Sequence, residues 1–398
     1  MDAEEARTIG RRVRQIRNAR GLTQKVVADR AGISKSYLCR VEKGQRALGE
    51  RSRIVALADA LQIAPSELTR LAVPAPANGE TDAAIQAVFL ALMAASRNRP
   101  GGMVLPVTVL RDRVISTIDA HYGCDPDSNV GAALPGLIRD LHTSIAAGRD
   151  VAELLDLAVL LHANATIGWL RVAGAAIELR ELAAGLASRA AEDRETPEAR
   201  GLAVWGGLHV LVTAGALDLA RAELDSVSVP TNTPEGMQLE GTLAMCHSFL
   251  AAVDSRPGDV EAPLEYAAEL AGRTGEGNAY WMGFGPANVG FWRLSAALES
   301  GDHERAVAVA AGLNPEAHPF RGCQAMYWVH LGRAAARLRG RREDAVKALR
   351  RAEAISPHRV LRDPITREVL GELLGHVPRD SRAGRELRKM AYRAGLPV

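Results

Sequence analysis

The sequence predicts an all-α protein in two parts: a five-helix unit over residues 1–72 and a long α-solenoid of helical hairpins over residues 80–398. Three observations carry that expectation. Apolar residues recur at spacings of three and four along most of the chain, β-branched runs are too short for strands, and Gly or Pro separates the amphipathic stretches. The chain has 398 residues, 47% hydrophobic and 24% charged, enough for two or three folding units with ordinary cores.

The first unit resolves into helices one by one. Ile9, Val13 and Ile16 form a stripe on a first helix that closes at Gly21. Thr23 stands where an N-cap is needed, and Val27 and Ala28 face inward on a second helix. Gly32 supplies a left-handed turn, Ile33 plugs it, and Ser34 caps a third helix with Leu38 and Val41 inward, ending at Gly44. Ile54, Leu57 and Leu61 mark a fourth helix; Ile63 and Leu68 mark a fifth, started by Pro65-Ser66. Two helices joined by a short Gly-containing turn inside such a unit make a helix-turn-helix domain.

Charge divides the same way. Residues 1–72 hold 15 Lys and Arg against 8 Asp and Glu; the remainder holds 34 against 39. A basic head on an acidic body suits a protein whose head alone meets a polyanion. Arginine outnumbers lysine 44 to 5, a bias ascribed to a GC-rich genome, so arginine richness is not counted as a nucleic-acid signal.

The string Leu22-Thr23-Gln24, Ala31-Gly32-Ile33-Ser34-Lys35-Ser36-Tyr37-Leu38 and Val41-Glu42-Lys43-Gly44 resembles the Xre/Cro helix-turn-helix family across the head. The resemblance implies that Lys35 and Ser36 read base edges in the major groove and that Arg40 reaches base or backbone. It also implies phosphate contacts from Gln24, Ser34, Tyr37, Lys43 and Arg46, and an internal ion pair between Arg17 and Glu42. Leu48-Gly49-Glu50 departs from the Pro-Ser helix start often found after this turn.

Residues 73–79, with Pro74, Pro76 and Gly79, read as a semi-extended linker. In the body, helical stretches are predicted at 80–97, 104–122, 133–147, 151–171, 174–192, 196–214, 216–227, 235–254, 258–273, 286–300, 302–313, 319–338, 341–355, 364–376 and 381–394. Trp328, Leu331, Gly332 and Ala335, followed by Ala345, Leu349, Ala352 and Pro357, resemble the tetratricopeptide pattern with one residue added between its halves. Weaker copies centre on Trp205 with Ala220 and on Trp292 with Ala306. Such an array offers a concave surface to a peptide, a small ligand or a protein.

Residues 275–289 concentrate scarce aromatics, glycines and asparagines, and the run 284–289 resembles a segment of actinobacterial regulators that join this head to a helical body. Trp281, Phe284, Asn288 and Arg293 are candidate ligand-binding residues; the alternative is that Asn288 satisfies a neighbouring loop and the aromatics are core. Asn164, inside an apolar helix, is either a groove residue or a satisfied core amide.

Cys39, Cys124, Cys246 and Cys323 have no metal-site spacing and read as reduced, mostly buried thiols. No catalytic constellation, metal site or cofactor motif stands out, so no enzyme activity, metal or cofactor is expected. The segment taken as most apolar, Ala83–Ala95, falls short of the ~20 residues that cross a bilayer. The expected partners are double-stranded operator DNA, a second copy of the chain, and a peptide, small-molecule or small-protein effector, with no membrane. The body is alternatively a docking scaffold for a cognate small protein. The expected location is cytoplasmic, on the nucleoid when DNA is bound.

Overall fold

The computed structural model describes residues 9–10, 12–14, 16–18, 20, 22–46, 56–58, 60–61, 63, 79–124 and 129–396. It is all-helical, with no strand among the described residues. Two compact units divide it: Met1–Pro76 together with Pro364–Val398, and Ala77–Asp363. The sequence-based boundary kept 364–398 with the body. The predicted linker, apart from Gly79, and the fifth helix of the head, apart from Ile63, lie outside the described residues, as do Gly21 and Leu48-Gly49-Glu50.

In the first unit, α1 (helical at 9–10, 12–14 and 16–18), α2 (Gln24–Arg30), α3 (Lys35–Glu42) and α4 (helical at 56–58 and 60–61) enclose one core. Ile9, Val13, Val27, Leu38, Val41, Leu57 and Leu61 are buried there. The local signals act as the residue types dictate. The Thr23 hydroxyl accepts the Val26 amide and that of Ser34 accepts the Tyr37 amide. Gly32 and Gly44 take φ of +64° and +66°, a region closed to most side chains. The unit also holds α20 (Pro364–Leu374) and α21 (Arg382–Arg393), the latter capped by Ser381.

The second unit begins with α5 (Gly79–Ser96), so Gly79 opens a helix rather than closing a linker. Then follow α6 (Val107–Gly123), α7 (Val130–Ala146), α8 (Val151–Leu160), a π-helical turn at Leu161–Thr166, and α9 (Ile167–Val172). Next come α10 (Ile177–Arg194), α11 (Pro197–Ala214), α12 (Leu217–Asp225), α13 (Pro234–Val253), α14 (Glu261–Thr274), α15 (Pro286–Glu299) and α16 (His303–Ala311). The unit closes with α17 (Arg321–Arg337), α18 (Arg342–Ile355) and α19 (Pro357–Leu361). The five-residue α19 was not predicted, because it is too short to show a period.

Neighbouring helices pair as hairpins, α10 with α11, α13 with α14, α15 with α16 and α17 with α18, and α11, α13 and α15 pack in succession. Small residues set the close crossings. A Cβ on Gly332 would lie 2.8 Å from the Leu349 side chain of the paired helix. Trp292 bridges hairpins, its ring edge-on to Phe249 and stacked with His209.

Val151–Val172 is long and apolar enough to cross a membrane, with 67% of its most apolar window buried inside the protein. This corrects the placement of the most apolar stretch at Ala83–Ala95. The segment is apolar around most of its circumference because α6, α7, α10 and α11 pack around it.

A Cβ on Gly206 would sit 2.7 Å from the Ala163 Cα, so α11 meets the π-helical turn backbone to backbone. Gly206→Val is expected to destabilise the body by about 3 kcal/mol through overpacking. A tryptophan-monitored denaturant midpoint unchanged from wild type would contradict that crossing.

Candidate nucleic-acid interface

The third helix of the head is held from behind by a buried charge cluster. Arg17 donates from Nε to Glu42 Oε1 at 2.6 Å and from Nη2 to Oε2 at 3.0 Å, a two-point fork, and from Nη1 to the Leu22 carbonyl at 2.9 Å. The Glu42 side chain is 3% exposed. Its hydrogen bonds and charge raise the Arg17 pKa against the opposing effect of burial. The predicted α1–α3 ion pair is therefore present, and it also takes the Gln24 amide, Nε2 to Glu42 Oε2 at 2.7 Å. Gln24 keeps a second N–H on that nitrogen.

Gly10 is the residue that sequence reasoning passed over. A Cβ there would lie 2.0 Å from the Val41 carbonyl oxygen, so α1 and α3 touch through backbone at this point. A lone Gly beside Ile9 in an amphipathic stripe was the available signal.

With Leu38, Val41 and Glu42 turned inward, α3 presents Lys35, Ser36 and Arg40 to solvent, followed by exposed Lys43 and Arg46; Cys39 is half-buried on the same side. The Ser34 and Ser36 hydroxyls share a hydrogen bond of 3.1 Å at the N-terminus of the helix. Arg40 Nε lies 3.4 Å from the Ser36 carbonyl, which lays its stem along the helix. Arg46 packs over the Tyr37 ring at 5.8 Å, a cation–π contact that sets the turn after the helix against its first turn. The eight predicted DNA contacts thus fall on α2, α3 and the turns flanking α3. Six are exposed; Gln24 and Tyr37 are partly buried.

Residues 8–71 match the family described as "Helix-turn-helix domain". The chain carries a DNA-binding domain of that kind at its N-terminus, and transcription regulation follows from it. Among solved structures, apo ComR from S. thermophilus is similar at 12% identity with a TM-score of 0.23, covering 93% of this chain and 99% of that one. The apo form of the competence regulator ComR from Streptococcus vestibularis is similar at 12% identity with a TM-score of 0.20, covering 99% of this chain and 100% of that one. No curated protein matches its sequence.

In the body, the loop after α14 is built on itself and on α13. The Gly277 amide donates to the Phe284 carbonyl at 2.7 Å, the Ala279 amide to Gln238 Oε1 at 2.8 Å, and the Ala287 amide to Glu276 Oε1 at 3.0 Å. The structure places Trp281 and Phe284 in this loop and Asn288 at the start of α15, and engages the groups of each within the protein. Trp281 Nε1 donates to Asp119 at 2.7 Å, and Asn288 Nδ2 donates to the Met282 carbonyl at 3.0 Å. Phe284 is fully buried, and a Cβ on Gly241 would lie 2.3 Å from its ring. Arg293 stands apart, paired with Glu265 and Glu261 beside a cleft of about 260 Å³. Asn164 is a satisfied core amide: Oδ1 accepts from Tyr122 Oη at 3.0 Å and Nδ2 donates to the Leu160 carbonyl at 3.2 Å. Of the cysteines, all four are free and only Cys246 is fully buried, so the expectation of mostly buried thiols needs correcting.

Proposed function

We propose that the protein is a sequence-specific transcription regulator whose helical body, a tetratricopeptide-like array, dimerises and transmits an effector signal to the helix-turn-helix domain. The observation that carries this reading is the split of α3. Its inner face is fixed by Leu38, Val41 and Glu42, and its outer face is a polar and cationic strip of Lys35, Ser36, Arg40 and Lys43. A helix so fixed lays its N-terminal residues against base edges. Lys35 donates to guanine O6 or N7, and Ser36 reads a donor or an acceptor. Ser34, Tyr37, Lys43, Arg46 and the remaining Gln24 N–H take phosphates, and Arg40 reaches backbone or base. Two domains on half-sites about one helical turn apart multiply a modest single-site affinity, which is why a dimer fits. Such a regulator works in the cytoplasm, on the nucleoid.

The contact assignment predicts two classes of variant. Lys35→Ala and Ser36→Ala are expected to relax base preference at defined operator positions, each by about 1–3 kcal/mol of discrimination. Lys43→Ala weakens all sequences alike and lowers the salt slope by about one. Footprinting of a selected operator over a salt series checks both, and identical behaviour of the two classes would sink the assignment.

A further inference from the structure

The interior of the second unit gathers guanidinium groups that the helix-turn-helix domain leaves unexplained. Arg171 on α9, Arg180 on α10 and Arg359 on α19 stand close enough for Arg180 and Arg359 each to act on Arg171. Burial and those like charges lower Arg171 to about 10. The Arg180 and Arg359 side chains belong to residues only 9% and 6% exposed, and the Nε of each has no hydrogen-bond partner among the described residues. Asp363 is the carboxylate whose field reaches both Arg171 and Arg180. Asp363, with Glu178 acting on Arg180 alone, offsets only part of the three guanidinium charges. A buried cation without a full set of acceptors costs several kcal/mol, so a fold that keeps Arg180 and Arg359 this way beside Arg171 has a use for them.

Their surroundings describe a binding surface rather than a sealed core. Arg171, Tyr122, His209, His330 and Cys323 remain partly accessible although each is deep enough for burial to dominate its titration. His209 and His330 are pushed to about 3 and stay neutral, able to donate or accept one hydrogen bond without adding charge. At the other end, Arg359 packs over Gly322, where a Cβ would lie 3.0 Å from its Nη2 and 3.5 Å from Cys124 Sγ. These groups come from α6, α9, α10, α11, α17 and α19, so a molecule bound among them ties the two ends of the array together.

We propose that Arg171, Arg180 and Arg359 form an internal site for a small organic anion, a carboxylate or phosphate ester, that acts as the effector. The site rests on the reading of the body as an effector-binding array. Planar guanidiniums grip such anions through two-point hydrogen bonds, and an incoming anion supplies the acceptors that Arg180 and Arg359 lack. Occupancy also removes the mutual repulsion of the three cations.

The test uses the full chain, with citrate and pyrophosphate as probes and sodium chloride matched for ionic strength. Thermal unfolding is followed by tryptophan fluorescence near neutral pH. A saturable rise of several degrees in the midpoint is expected with at least one probe, and the stronger probe tells carboxylate from phosphate recognition. Arg171→Gln and Arg359→Gln should weaken that response at least tenfold while melting no earlier than wild type without anion. Exposed Arg339→Gln should respond as wild type does. A wild-type shift matched by chloride, variants that keep wild-type affinity, or variants that melt far below wild type would each overturn the site. Operator binding on the same preparations separates the failures. Anion silence with DNA preference intact removes this site alone, whereas saturable anion binding without DNA preference removes the regulator reading and leaves the site.

Discussion

Glu42→Ala is expected to unfold the helix-turn-helix domain while the tryptophan signal of the body stays in place. Glu42 accepts two hydrogen bonds from Arg17 and one from Gln24 while its side chain is 3% exposed. Removing it strands the Arg17 guanidinium beneath α3, and stranding one member of a buried pair costs about 3–5 kcal/mol. That is a large part of the stability of a small domain. All five tryptophans lie between positions 169 and 328, so fluorescence follows the body and far-ultraviolet circular dichroism registers loss of the head's helices. The expected result is a low-temperature dichroism transition without a fluorescence counterpart, and loss of DNA binding at all salts. The paired replacement Arg17→Met with Glu42→Leu should recover much of the loss, because neither charge is then left alone. A Glu42→Ala protein with wild-type unfolding and operator affinity would mean that the fork does not hold α3.

Acid should act on the body instead. Burial lowers His121, His209 and His330 to about 3 and His142 to about 4, and holds His162 well below its ordinary value. His142 and His162 meet Nε2 to Nε2 at 2.9 Å, so one of the two rings must keep an unprotonated acceptor nitrogen and stay neutral. The folded-state pKa values lie below the unfolded value of about 6.5, so the unfolded chain takes up protons first as pH falls. The stability from these imidazoles is therefore complete above about 6.5 and is lost progressively between there and about 3–4. Each contributes at most about 1.4 kcal/mol per pH unit within that window, less where water reaches the ring. Five together should lower the fluorescence-monitored midpoint by roughly ten degrees or more between pH ~7.5 and ~5, before most carboxylates titrate. Midpoints that coincide at the two pH values would show that the imidazoles are not desolvated.

Much of this molecule was legible in its residues because the relevant physics is local. Thr23 and Ser34 sit where hydroxyls cap helices, Gly32 takes the left-handed turn it was assigned, Gly44 ends the third helix as expected, and the body helices fall within a few residues of their predicted limits. The direction in which α3 faces followed from Leu38 and Val41, two core residues three apart. The loop at 275–289 left two readings open in the sequence for a physical reason. Aromatic, Gly and Asn residues suit a binding loop, but they equally suit a tight loop that must satisfy its own backbone, and Asn288 and Gly277 do the latter.

By itself, then, the sequence determined the helices, their inward faces and the helix-turn-helix head, since caps, turn glycines and apolar periods act within a few residues of where they stand. Only the tertiary structure decided which distant side chains share a space. Gly10 against Val41, Glu42 beneath Arg17 and Gln24, and Arg171 beside Arg180 and Arg359 are separated by up to 188 positions along the chain. A guanidinium bound for the interior has the same residue type and local pattern as one on the surface. Its hydration, and with it its charge chemistry, is set by the helices that close around it.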